Sequence, residues 1–241
     1  MLNKEPTEKV VTFEQTESTT KTFRHDLPIS DQAKEIMLSK VFIEFSAWVF
    51  HHHFAQAKEL LEEFIQEHHL QEEKQQGLLH NMFWWRTLYM VANRMDIVFV
   101  DEFIAQNLSY YKDKPLVISW LKEWEKATSK FYYVGHVYND RNIVVVDMLT
   151  EETHDVVIFD PAATLPKNGE IVMGTLLPIG DGLYFPIIDF YHFDYQAREH
   201  IVRQVKYHLN QHSKHSSIQE TFIHVLSQAL QIEHLVVNDV E

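Results

Sequence analysis

Cysteine is absent from this 241-residue sequence, so disulfides, thiolate zinc sites and cysteine nucleophiles are all excluded. Glycine is scarce, and six residues leave little material for the backbone loops that cradle phosphates. No Gly-x-Gly-x-x-Gly, P-loop, Gly-x-Ser-x-Gly or His-Glu-x-x-His pattern occurs. Long apolar runs are missing too. Nowhere do about 18 apolar residues follow one another, and MLNKEPTEKVVTFEQTESTT at the start holds no stretch of the kind a signal peptide requires. The expectation is a cytoplasmic protein without a membrane segment. Basic residues are the last shortage: 21 Lys and Arg stand against 35 Asp and Glu, a net charge of -14. From Phe131 to Asp194 only Arg141 and Lys167 oppose ten acidic residues, a local charge of -8. A phosphate backbone is repelled there, so no nucleic acid is expected on that stretch.

What is present is an ordinary globular composition, 45% hydrophobic, with five Trp and sixteen Phe. Residues 1–24 show no sustained period and read as a mobile N-terminal arm. Residues 25–130 read as a helical body. Ser30 or Asp31 is a plausible N-cap for a first helix, and a second follows from Ala57, with Leu60, Leu61, Phe64 and Ile65 on one face and glutamates on the other. Leu78, Met82, Trp85, Tyr89 and Ala92 recur at four and three and mark a central, largely buried helix. Two shorter helices follow, the second with Pro115 in its first turn. At Phe131 the period changes to short β-branched and aromatic runs separated by Asn-Gly, Asp-Gly and Pro signals, so residues 131–194 predict a small five-stranded antiparallel β-barrel or curled sheet. Residues 195–241 predict a C-terminal helical hairpin. The fold class is α+β.

Three groups invite a chemical reading. VVVDMLTEETHDVVIFD, Val144–Asp160, carries Asp147, Glu151, Glu152 and His154. Strand alternation puts His154, Val156 and Ile158 on one face, while Glu151 and Glu152 fall in a turn, where solvated carboxylates have no reason to form a tuned acid and base pair. In FHHHFAQ, His51, His52 and His53 would fan out by roughly 100° each on a helix, and a loop between two helices is their expected home. In the hairpin, Ile201, Val205, His208, His212 and His215 form one helical stripe. His208, His212 and His215 are the metal candidates, although the Glu of a His-Glu-x-x-His pattern is missing. Ile201, Val205, His208, His212, Phe222 and Val225 are the candidate interaction residues, because neither helix of the hairpin can bury its apolar stripe alone and each needs a third surface.

The stretch YYVGHVYNDRNIVVVDMLTEETHDVVI, with LPKNGEIVMGTLLPIGDGLYF after it, resembles the β-region of bacterial proteins associated with the SEC-C motif. Asp147, Leu149, Thr150, Gly169, Glu170, Leu177 and Pro178 are the matching positions, and residues 40 to 190 are covered. That family's Cys-rich zinc-binding tail is missing here, so docking through a metal knuckle is not implied. The resulting expectation is a non-catalytic accessory or protein-interaction protein with no cofactor and with a protein partner or self-association. The alternative is a metal-dependent enzyme whose His, Asp and Glu ligands are gathered by the fold.

Overall fold

The computed structural model of the protein describes residues 14–17, 20–92, 99–212 and 217–238. The side chain of Ser30 accepts a hydrogen bond from the Ala33 amide and caps helix α1, Asp31–Glu35, satisfying one of the donors a helix start leaves open. A π-helical stretch, Ile36–Phe42, follows without a break and runs into α2, Ile43–Glu67. The loop expected at the histidine triplet does not form. His51, His52 and His53 lie inside α2 because both flanks are pinned: Val49 and Ala57 are buried, while Phe50 and Phe54 stack on each other at 4.1 Å and meet Phe83. Packing on both sides overrides the indifferent local propensity of three histidines.

Phe83 belongs to the central helix α3, Glu72–Ala92, which buries Leu78, Met82, Phe83, Trp84 and Leu88. The body is completed by α4, Phe99–Gln106, α5, Leu108–Tyr111, and α6, Pro115–Leu121 with its proline in the first turn, extended by a 3-10 turn, Lys122–Lys126.

The sheet contains β1, Ser129–Asn139, β2, Asn142–Asp147, β3, Thr153–Val157, β4, Ile171–Pro178, β5, Leu183–Pro186, and the two-residue β6, Tyr191–His192. Its order is β1-β2-β3-β5-β4-β6, and a further β1–β4 pairing closes the first five strands into a barrel. The barrel is mixed rather than purely antiparallel, because β3 and β5 pair in parallel through Asp155 with Leu183 and Val156 with Tyr184. Parity explains the correction. Strand directions can alternate around a closed ring only when the number of strands is even, so a ring of five must contain a parallel pair. Here that pair is the narrowest seam.

β4 is buried along nearly its whole length. One face, with Val172 and Leu176, packs inside the barrel against Val134, Val145 and Val156. The other, with Ile171, Met173 and Leu177, joins the core of the helical body. β4 is therefore a common wall between two apolar cores, one inside the barrel and one between the barrel and the helices. Trp120 ties them further by donating its indole N–H to the Pro178 carbonyl at 2.8 Å.

Helices α7, Arg198–His212, and α8, Ile218–Asn238, form the expected hairpin. Ile201, Val205, Leu209, Phe222, Val225 and Leu226 are all buried. Phe222 lies 5.0 Å from the ring of Phe131 and 6.1 Å from that of Trp85, so the third surface is the chain's own body. Glu233 fastens α8 by accepting from Lys74 at 2.6 Å, from the Tyr191 hydroxyl at 2.9 Å and from the Asp194 amide.

The arm needs a correction over the part that is described; residues 1–13, 18 and 19 lie outside it. Gln15, 3% exposed, donates to the carbonyls of Arg24 and Leu27 and accepts from the Arg24 amide. Phe23 is buried, and its amide donates to the Ser119 hydroxyl at 2.9 Å. Side-chain bonds to backbone hold this segment where no periodicity could announce it.

Candidate functional site

Away from β4, a cleft opens where the helical body and the barrel part company. β3 and β5 separate after their two parallel pairs, and the chain beyond each, Ile158–Asp160 and Phe185–Asp189, faces the first long helix across a space of about 980 Å³. The π-helical stretch supplies Leu38 and Phe42 to the wall, and α2 adds Ile43, Ser46 and Phe50. π-helical geometry is uncommon and concentrates at functional positions. Ile43 is 57% exposed and Phe159 44%, so the apolar surface spills over the lips of the cleft instead of ending inside it.

Polar groups in the cleft carry one sign. Glu73, Asp160 and Asp189 line it together with His51 and His80, and no Lys or Arg does among the described residues, the nearby Arg141 being engaged with the Asp160 carbonyl at 2.6 Å. Burial, and then the neighbouring Asp160, push the Asp189 carboxyl above its usual range. Burial pulls His80 down, which favours the neutral imidazole. An apolar trough with acidic groups lacking a cation suits an elongated, apolar and positively charged occupant.

A second, polar site lies at the barrel mouth, and its centre is the acidic stretch Val144–Asp160. Asp147 ends β2 with 1% exposure. Its Oδ1 accepts from the amides of Leu149 and Thr150 and its Oδ2 from Lys130 at 2.5 Å. Burial works against ionisation, but these bonds outweigh it and hold the carboxyl below its ordinary value. Glu151 and Glu152 occupy the turn and are exposed, as expected. The expected alternation also holds, since Val156 and Ile158 are buried while Asp155 and Phe159 are exposed. Ligand atoms of Asp147, Glu152 and His154 all lie within 4.8 Å of one another. The His154 imidazole is drawn down first by burial and then by Lys130. A cleft of about 230 Å³ opens beside it, lined by Lys130, Tyr132, Glu152 and Tyr184 among others.

Among the described residues, this is a metal-capable grouping; the helical stripe falls largely outside them. His208 is half-buried on α7, while the side chain of His212 and all of His215 lie outside the described residues. His52 bonds the Trp48 carbonyl through Nδ1 at 2.8 Å and His53 packs on Phe99 at 4.4 Å, so the triplet does not converge. Of the interaction residues, Ile201, Val205, Phe222 and Val225 are covered by the chain itself and present nothing to a partner. The cleft residues escaped sequence reading because they come from segments that are distant in sequence, and because each reads locally as core. Only the apolar character of residues 36–48 on most sides hinted that this helix had more faces than the body could cover.

The positions that carry the family resemblance have structural duties here. Asp147 builds its turn, Thr150 bonds Glu152, and Gly169 takes a φ of +79°. Glu170 accepts from His192 and from the Lys167 amide, Leu177 is core, and Pro178 receives Trp120. These duties explain the pattern without assigning an activity. In comparisons with known proteins, no family model, no curated protein and no solved structure matches the chain.

Proposed function

We propose that this is a non-catalytic accessory protein of the bacterial cytoplasm that recognises a protein partner through the cleft between its helical body and its barrel. The occupant is an apolar segment that also carries Lys or Arg. The observation behind this reading is the coincidence, in one cleft of about 980 Å³, of an apolar wall with acidic side chains and no cation. A small molecule is normally enclosed by its pocket. The exposed lips at Ile43 and Phe159 instead extend the contact surface outward, as protein-binding patches do. Two features agree with the rest of this assignment: among the described residues no helix is long and apolar enough to cross a membrane, and the barrel's acidic charge disfavours nucleic acid. On the same reading the chain is a SEC-C-associated body, and the cleft is its partner-recognition surface.

Fluorescence polarisation tests this with two labelled amphipathic peptides of identical apolar pattern, one bearing Lys and the other Glu. The Lys peptide binds with a Kd in the micromolar range and the Glu peptide does not. Ile43→Glu, and separately the pair Asp160→Asn with Asp189→Asn, weaken binding by about tenfold or more. Equal binding of both peptides, or affinity unchanged by these substitutions, contradicts the proposal.

A further inference from the structure

At the barrel mouth, several side chains converge that the cleft reading does not use. Asp147 and Glu152 bracket the β2–β3 turn, and His154 follows on β3, so a single hairpin supplies two carboxylates and an imidazole within 4.8 Å of one another. Asp147 is held rigidly by two amides of its own turn. Glu152 has one oxygen engaged, by the Thr150 hydroxyl at 3.2 Å. His154 touches the rings of Tyr184 at 4.8 Å and Tyr132 at 6.2 Å, and neither of its ring nitrogens makes a hydrogen bond to another described residue. Imidazole with that freedom, beside two carboxylates, is a ligand set for a cation.

A second observation points to a ligand independently. Tyr132 is 98% buried by virtue of its 2% exposure, and its side chain lines the cleft of about 230 Å³ next to His154 and Glu152. Its hydroxyl makes no hydrogen bond to any described residue. A tyrosine side chain that is buried as a whole, lines a small polar cleft and has no partner for its hydroxyl is placed to donate to something held there.

We propose that Asp147, Glu152 and His154 bind a divalent transition-metal ion of the zinc or manganese kind, with its remaining coordination positions turned toward Tyr132 and the cleft. One nitrogen and two oxygen ligands fit these ions, while the absence of thiolate disfavours soft Cu(I). Ligand atoms about a zinc ion stand roughly 3.3 Å apart, given bonds of about 2.0 to 2.2 Å, so separations within the cluster, now no more than 4.8 Å, close by up to about 1.5 Å on binding. Glu152 is exposed and His154 half-buried, and both can make that movement. Lys130 is the group that opposes the ion. Its ammonium sits on Asp147 Oδ2 at 2.5 Å, and with 28% side-chain exposure it can turn outward when a stronger cation arrives. With two carboxylates and one ammonium, the site has a charge of -1 before the ion enters.

Titration of the full chain with Co²⁺, followed by visible absorption and by competition with Zn²⁺, tests the site. Wild type takes up one tightly bound ion per chain, with absorption bands typical of a low coordination number. Glu152→Gln and His154→Ala lower the affinity by about tenfold or more each, and Lys130→Gln, which removes the opposing charge, raises it by about tenfold. Glu152→Gln alters an exposed turn residue and keeps the fold, so circular dichroism alongside separates ligand loss from unfolding. Other histidines can adsorb metal loosely, but none of these substitutions would change that uptake. Wild-type affinity weaker than about 100 μM, tight binding that survives Glu152→Gln, or an affinity unmoved by Lys130→Gln would overturn the assignment.

Discussion

At the scale of single residues, Lys130 and Asp147 form a largely buried ion pair in the barrel. Asp147 is buried and the lysine largely so, which makes the loss of one partner far more damaging than the net worth of the pair. Asp147→Ala leaves the ammonium without its carboxylate and the Leu149 and Thr150 amides without their acceptor. It is expected to cost about 3 kcal/mol, measurable as a shift in urea midpoint at constant slope. Gly180 is constrained in a different way. It has a φ of +86°, and a methyl there would lie 2.6 Å from Ile29 and 2.9 Å from the Leu27 carbonyl. Gly180→Ala therefore loses roughly 2 kcal/mol through backbone strain and collision.

Protonation at this scale has a predictable sign. His25 lies 4.3 Å from the Tyr184 ring; burial and then His154 lower its pKa, and His154 is lowered by burial and then Lys130. A folded value below the unfolded value of about 6.5 means that the stability these imidazoles contribute is complete above that pH. It is lost as pH falls from there through the folded values. The raised Asp189 works in the opposite direction, so the informative quantity is a difference. Between pH 7.5 and 5 the Tm of His25→Gln, His154→Gln should fall less than that of wild type, and parallel curves would refute the assignment. Asp147 and His154 were visible in the sequence as a strand end and a strand face. Lys130 and Tyr132 were not tied to them, because that relation exists only once β1 is registered against β2, with Tyr132 opposite Asp147.

At the scale of elements, apolar periodicity located the central helix, five strands and the terminal hairpin, since each buries a stripe or a face that sequence displays directly. It failed where packing partners decide the matter. The histidine triplet continues a helix because Phe50 and Phe54 are held by Phe83, and nothing in the residues themselves requires it. The parallel seam followed from closure, a property of the ring rather than of any strand. The hairpin gives the clearest test. Phe222→Ala removes a ring packed on Phe131 and Trp85 and should cost about 3 to 5 kcal/mol. Truncation after Asp194 goes further, uncovering Phe131 and removing Glu233 from Lys74 and Tyr191. Light scattering should then show aggregation, whereas an unchanged melting temperature and solubility would make the hairpin an independent appendage.

At the scale of the whole molecule, charge and shape act together. The chain carries -14, and the cleft between its helical body and its barrel adds acidic groups to an apolar wall. An excess of one sign over a surface attracts oppositely charged partners from a distance and repels like ones, so the full chain should give no submicromolar shift of RNA or DNA at about 150 mM salt. The sign of the charge could be read from composition alone. The cleft could not, because its helical and barrel walls belong to segments more than seventy positions apart, and because each wall looks like ordinary core until the gap between them is seen. The central claim is that this gap is where a partner sits. Photo-cross-linking tests it most directly: the Lys-bearing amphipathic peptide, carrying a benzophenone at its apolar centre, is irradiated on the full chain and the attachment sites are mapped by mass spectrometry. The account predicts adducts on Leu38, Ile43, Phe159 and Ile188. Adducts confined to α7, α8 or the barrel mouth around Tyr184 would contradict it.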